Sequence, residues 1–143
     1  MSRDFGFKFH LRSAIGVRSI LNHLVQAGWN PDDYGSVSYL VDPDFFDWQS
    51  TELENVESVY ESLSATQESR LPCAIVLTWK DTQIGGSFIF MPSKEEVTLS
   101  PVINPVRRAD CEMLLDFEWY LSRLVAVLES VGMSGLETFD YAD

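Results

Sequence analysis

The chain has 143 residues and a mass of 16.2 kDa, which is room for one domain. With 45% hydrophobic and 13% aromatic residues it can bury a core, which excludes global disorder. Ten Lys and Arg against 22 Asp and Glu give a net charge of −12, which excludes direct nucleic-acid binding and docking on anionic membrane, since both need a basic surface.

The first element follows from Phe5, Phe7, Phe9 and Leu11 alternating with Gly6, Lys8 and His10, the pattern of a strand with one buried face. Ser13 can cap the helix after it, whose apolar face carries Val17, Ile20, Leu21, Leu24 and Val25, with Gly28 as its stop. Residues 29–33 read as a turn and 34–41 as a second strand. Residues 42–49 read as a loop, because Pro43 and three Asp oppose regular structure. Thr51 and Glu54 have capping-box spacing ahead of a helix with a narrow stripe of Leu53, Val56, Tyr60 and Leu63.

Residues 73–80 form the most apolar strand and are expected at the sheet centre. After a tight turn at Asp81-Thr82, residues 83–91 return, with Gly85-Gly86 marking a bulge or a close backbone approach. Residues 96–103 complete an antiparallel meander. Asp110 is expected to cap a long helix to Val131, striped by Leu114, Phe117, Leu121, Leu124 and Leu128 and ended by Gly132. The remainder, 135–143, is an acidic-aromatic tail that either docks or frays. The expected fold is α+β, a single domain over 1–143, with an antiparallel sheet in the order β-α-β-α-β-β-β-α and the helices packed on one face.

The start, Met1-Ser2-Arg3-Asp4, lacks an apolar run, and no window approaches a membrane span; the expectation is a cytoplasmic protein. Cys73 and Cys111 fit no zinc or redox spacing and read as core or boundary residues of a reducing compartment.

The charge is unevenly placed. Residues 1–29 carry a net +3, residues 30–70 a net −9 and residues 71–143 a net −6. The excess concentrates in the 42–48 loop and in the helix after it, where Glu57 and Glu61 repel at four-residue spacing. One reading is a solvated face that keeps the chain soluble. The other rests on Phe45, Phe46 and Trp48 standing among Asp42, Asp44 and Asp47. Aromatics anchor interfaces, and an acidic rim speeds capture of a basic partner. On that reading Asp42, Asp44, Phe45, Phe46, Asp47 and Trp48 contact the partner, helped by Glu54, Glu57 and Glu61. The alternative for the three rings is that they fold back and close the core.

No pattern specifies a catalyst, a metal or a cofactor. Asp42-Pro43-Asp44 is a D-x-D match without a nucleotide-binding domain beside it, and the Asp42, Asp44, Asp47 spacing does not fit a calcium loop. His10 and His23 form no ligand pair, and Gly85-Gly86 lacks the rest of a phosphate loop. Arg107-Arg108, just before the third helix, either binds a phosphate at the helix start or pairs with surface acids.

In size, acidity, lack of an export signal and sheet-plus-helix plan, the chain resembles the small bacterial immunity proteins encoded beside polymorphic or contact-dependent toxins. The resemblance is one of type and carries over no residue. It implies a non-catalytic, stoichiometric inhibitor of a cognate toxin. A phage-type nucleic-acid mimic that disarms a defence protein, or a small enzyme with an unrecognised site, are the alternatives. Homodimerisation is expected, if at all, at the last strand of the meander, whose edge Pro101 either blunts or leaves open.

Overall fold

A computed structural model describes residues 3–142; Met1, Ser2 and Asp143, the last of the expected tail, lie outside the described residues. Its elements in chain order are β1 (Arg3–Leu11), α1 (Val17–Ala27), β2 (Trp29–Asn30), β3 (Ser36–Leu40), β4 (Gln49–Glu52), a 3₁₀ turn (Leu53–Asn55), α2 (Val56–Glu68), β5 (Cys73–Trp79), β6 (Gly85–Phe90), β7 (Glu96–Ile103), α3 (Phe117–Ser130) and β8 (Met133–Ala142). The fold is α+β. The strands form one antiparallel sheet in the order β4-β3-β5-β6-β7-β1-β8, with β2 pairing to β5.

The core lies where the apolar stripes of the helices meet alternate sheet residues. Val17, Ile20, Leu21 and Leu24 of α1 join Val59 and Leu63 of α2 and Tyr120, Leu124 and Leu128 of α3 in one cluster. The sheet contributes Phe7, Phe9, Ile75, Leu77, Phe88, Phe90, Val97 and Leu99 to it. Phe7 meets the rings of Phe117 and Tyr120 at 5.5 and 5.3 Å. β5 is interior to the sheet and buried over Cys73–Thr78, as its apolar run predicts.

Gly28 ends α1 with φ 127°, a conformation that disfavours a Cβ, and Gly132 follows α3 with φ 95°. At Gly85 and Gly86 the β6–β7 register shifts, and a Cβ on either would stand 1.9 Å from the carbonyl oxygen of Leu77 or Ser100. The double glycine is therefore a close approach of three backbones, with the bulge as its consequence.

The expected helix starts are displaced. Gly16, not Ser13, precedes α1 and supplies no side-chain cap; the amide Oε1 of Gln67 accepts from the Val17 N–H at 2.9 Å instead. Thr51 lies in β4 rather than at a cap, where its hydroxyl accepts from Asn55, and α2 starts at Val56. The long final helix is shorter than its stripe. Asp116, not Asp110, caps α3, accepting from the Trp119 N–H at 3.4 Å. Asp110 is taken by Arg108, and Leu115 is pinned outside the helix because its N–H donates to Asp140 at 2.6 Å.

Three strands were not anticipated. Trp29–Asn30 pairs with Trp79 and Thr78, Gln49–Glu52 pairs with β3, and the tail forms β8 along β1, register-matched from Arg3 opposite Ala142 to His10 opposite Gly135. The meander's last strand is consequently no edge. β7 bonds to β6 on one side and β1 on the other, so it offers no seam for dimerisation whatever Pro101 does.

Candidate functional site

The 42–48 loop joins β3 to β4 and is organised by one carboxylate. The Asp42 side chain accepts from the backbone N–H groups of Asp44, Phe46 and Asp47 at 3.3, 3.2 and 3.0 Å, and the Asp42 carbonyl accepts from Phe45 at 2.8 Å. The Asp47 N–H, aided by those of Asp44 and Phe46, holds the Asp42 carboxyl below the usual carboxylate range. Phe45 takes a left-handed φ of 55°, and its ring is half-buried. The other two rings do not close the core: Phe46 is 79% exposed and Trp48 44%. Asp44 and Asp47 are exposed and have no ion-pair partner among the described residues. The loop thus presents two aromatic rings to solvent within an unneutralised acidic rim.

The carboxylates expected to help the loop are not gathered around it. The β3–β4 register runs from Tyr39 opposite Gln49 to Ser36 opposite Glu52, so the loop closes one end of the hairpin. Glu52 and Glu54 stand near the other end, roughly 10 Å along the strand. There the Glu54 carboxyl is pushed up by a shared hydrogen bond with Glu52, as expected of two acids forced together. Glu57 and Glu61 occupy a different flank of α2. Ser58 and Ser62 line the groove toward Tyr39 and Thr51 of the hairpin. Glu57 turns toward α1 and accepts from Arg18 at 2.6 Å, and Glu61 follows it one turn on. The structure therefore brings Asp42, Asp44, Phe45, Phe46, Asp47 and Trp48 together, and sets Glu54 at the far end of the hairpin and Glu57 and Glu61 on the flank of α2 toward Arg18.

Two features escaped the sequence reading. Tyr34, 67% exposed, receives a hydrogen bond on its hydroxyl from Asn104 at 2.9 Å. Asn104 also donates to the Gln83 carbonyl, so this tip ties the 31–35 loop to the start of β6. Arg123 lies 4.0 Å over the Trp119 ring and 5.6 Å from that of Trp79, which Lys80 also approaches. Trp29 packs against both rings and donates to the Arg123 carbonyl at 3.1 Å. Only the Trp content hinted at this cluster, since its members are spread over α1's exit, β5 and α3.

The residues weighed for other chemistry are engaged structurally. Arg108 binds Asp110, and Arg107 lies 5.1 Å over the Phe5 ring, neither at a helix start. His10 and Glu137 meet at 2.6 Å across β1 and β8, which holds the Glu137 carboxyl below its usual range. Burial pushes the Cys73 thiol up to about 12, where it is not a nucleophile at neutral pH. A groove of about 410 Å³ between α1 and α2 includes Arg18 and Glu68 in its lining, and these are bound to Glu57 and Lys94. Among the described residues no group of three or more His, Cys, Asp or Glu could hold a metal ion, and no helix is long and apolar enough to cross a membrane. No protein family, characterised protein or solved structure matches the chain.

Proposed function

We propose that this chain is a non-catalytic binding protein that neutralises a basic protein partner, acting as an immunity protein for a bacterial toxin in the cytoplasm. The observation that carries the reading is the 42–48 loop: Phe46 and Trp48 stand exposed on a backbone already fixed by Asp42. A soluble chain gains nothing from such rings in water, and a preordered loop loses little entropy when a partner covers them. Asp44 and Asp47 beside them, with Glu54 and Glu61 farther off and Glu57 paired to Arg18, supply the field that steers a cationic partner.

The test begins with affinity capture of the tagged full chain in its source cell, with mass spectrometry. The expected result is one basic protein in stoichiometric amount. The quadruple variant Asp42→Ala, Asp44→Ala, Asp47→Ala, Trp48→Ala should then weaken the purified complex by about 2 kcal/mol or more. Glu61→Gln should slow association and flatten its salt dependence while leaving dissociation unchanged. A quadruple variant that binds with unaltered rate and affinity removes the loop from the interface, and a turnover activity without a stoichiometric partner removes the inhibitor reading.

A further inference from the structure

Among the described residues the sheet has two unpaired edges, on β4 and on β8. They differ in kind. Edge strands are normally blunted by shortness, Pro, Lys or a bulge, because a free row of N–H and C=O groups templates another strand. β4 is blunted by its length of 4 residues. β8 has 10 residues with no Pro, Lys or Arg; its charges are Glu137, which meets His10 of β1, and Asp140, which accepts from the Leu115 N–H, and its single register shift lies at its beginning.

The backbone direction can be read from one bond. The Leu11 N–H donates to Glu95 on the β7 side, and backbone groups alternate sides along an antiparallel strand. Gly6, Lys8 and His10 therefore bond toward β8, which turns their partners Phe139, Glu137 and Gly135 inward. Leu136 and Thr138 turn their N–H and C=O groups outward from the sheet.

We propose that two copies of this chain associate through β8, antiparallel, into one continuous sheet centred on Phe139. Charge excludes two registers, and aromatic pairing selects among those that remain. Centring on Glu137 or Asp140 would oppose two carboxylates directly, which is destabilising. Centring on Phe139 sets that ring opposite its own copy, Glu137 opposite Tyr141 and Thr138 opposite Asp140, with no like charges facing. Cross-strand aromatic pairs are favourable, and Tyr141, now 56% exposed, is drawn toward the seam. The net −12 of each copy opposes association at long range, and salt screens it, so the dimer tightens as ionic strength rises. The acidic loop lies beside the opposite edge of the sheet and stays open in both copies, which makes this seam independent of the partner-binding reading.

The test is sedimentation velocity on the full chain, at concentrations up to about 0.2 mM, since association follows mass action. The expected species is a dimer whose population grows from about 0.05 to 0.5 M NaCl. Leu136→Lys places a cation on the edge, and Thr138→Pro removes an outward N–H. Each should weaken the dimer at least about tenfold while far-UV circular dichroism is retained. If Thr138→Pro fails to fold, Leu136→Lys decides. A monomer at every concentration and salt, a dimer that survives Leu136→Lys, a dimer broken instead by Ser50→Pro in β4, or open-ended filaments would each overturn the proposal.

Discussion

Replacing Gln67 with Leu isolates the tie that holds the first helix to the rest of the molecule. Gln67 is 3% exposed; its Oε1 accepts from the Val17 N–H at 2.9 Å and its Nε2 donates to the Met91 carbonyl at 3.0 Å. One amide thus caps α1, which has no side-chain cap of its own, and fastens α2 to the end of β6. Leucine has nearly the same volume, so the substitution leaves no large cavity and removes only the polar contacts. The Val17 N–H is buried, and leaving it unsatisfied costs about 1–3 kcal/mol. The Met91 carbonyl is half-buried and recovers some water, so about 1 kcal/mol is assigned to it. The sum, about 2–4 kcal/mol, corresponds to a fall in Tm of roughly 6–12 °C for a domain of this size. Thermal and urea denaturation followed by circular dichroism measure it. Gln67→Glu adds a pH signature. An ionised Glu can accept from Val17 but faces the Met91 oxygen with no proton, whereas the protonated acid can donate to it. The deficit of this variant should shrink as pH falls, because its folded-state pKa is raised. A loss below about 0.5 kcal/mol for Gln67→Leu, the range of ordinary surface changes, would refute the capping argument.

Gly85→Ala should cost more than about 2 kcal/mol, because the new Cβ would meet the Leu77 carbonyl oxygen at 1.9 Å and only backbone movement relieves that clash; an unchanged urea midpoint would contradict the three-backbone packing. Asp42 predicts a loop that loosens in acid. Its folded-state pKa is lowered, so its stabilising effect is complete above the unfolded-state pKa and is lost as pH falls through the folded-state one. Amide exchange at Phe46 and Asp47, corrected for intrinsic rates, should therefore gain protection as pH rises out of the strongly acid range, the gain being complete above the ordinary Asp value of about 4; Asp42→Asn should flatten that profile.

The candidate loop was legible as composition and not as geometry. Pro43 and three Asp announced irregular backbone, and the rings among them announced a choice between core and surface. Only the fold made that choice, ring by ring: Phe45 half-buried, Phe46 and Trp48 exposed. The acids were countable in the sequence, but their grouping was not. Glu57 and Glu61 share a helix face at four-residue spacing, yet whether that face meets the loop depends on how α2 lies against the hairpin. It turns toward Arg18 instead.

What the sequence by itself determined was set by periodicity and by glycine. The alternation of β1, the stripe of α1, the apolar run of β5 and the stop at Gly28 are local consequences of which faces must leave water, whereas of the stripe expected for α2 Leu53 is exposed and Val59 takes its place. What only the tertiary structure decided was which end of each element finds a partner. Gln67, 50 residues away, takes the place of a cap at Ser13; Asp140 holds Leu115 out of a helix its apolar stripe would allow; and β1 turns the 135–142 tail into a strand. These are long-range hydrogen bonds to backbone groups, made by residues distant in the chain. A local pattern carries no record of them, because the donor or acceptor that satisfies each group arrives only when the chain has folded.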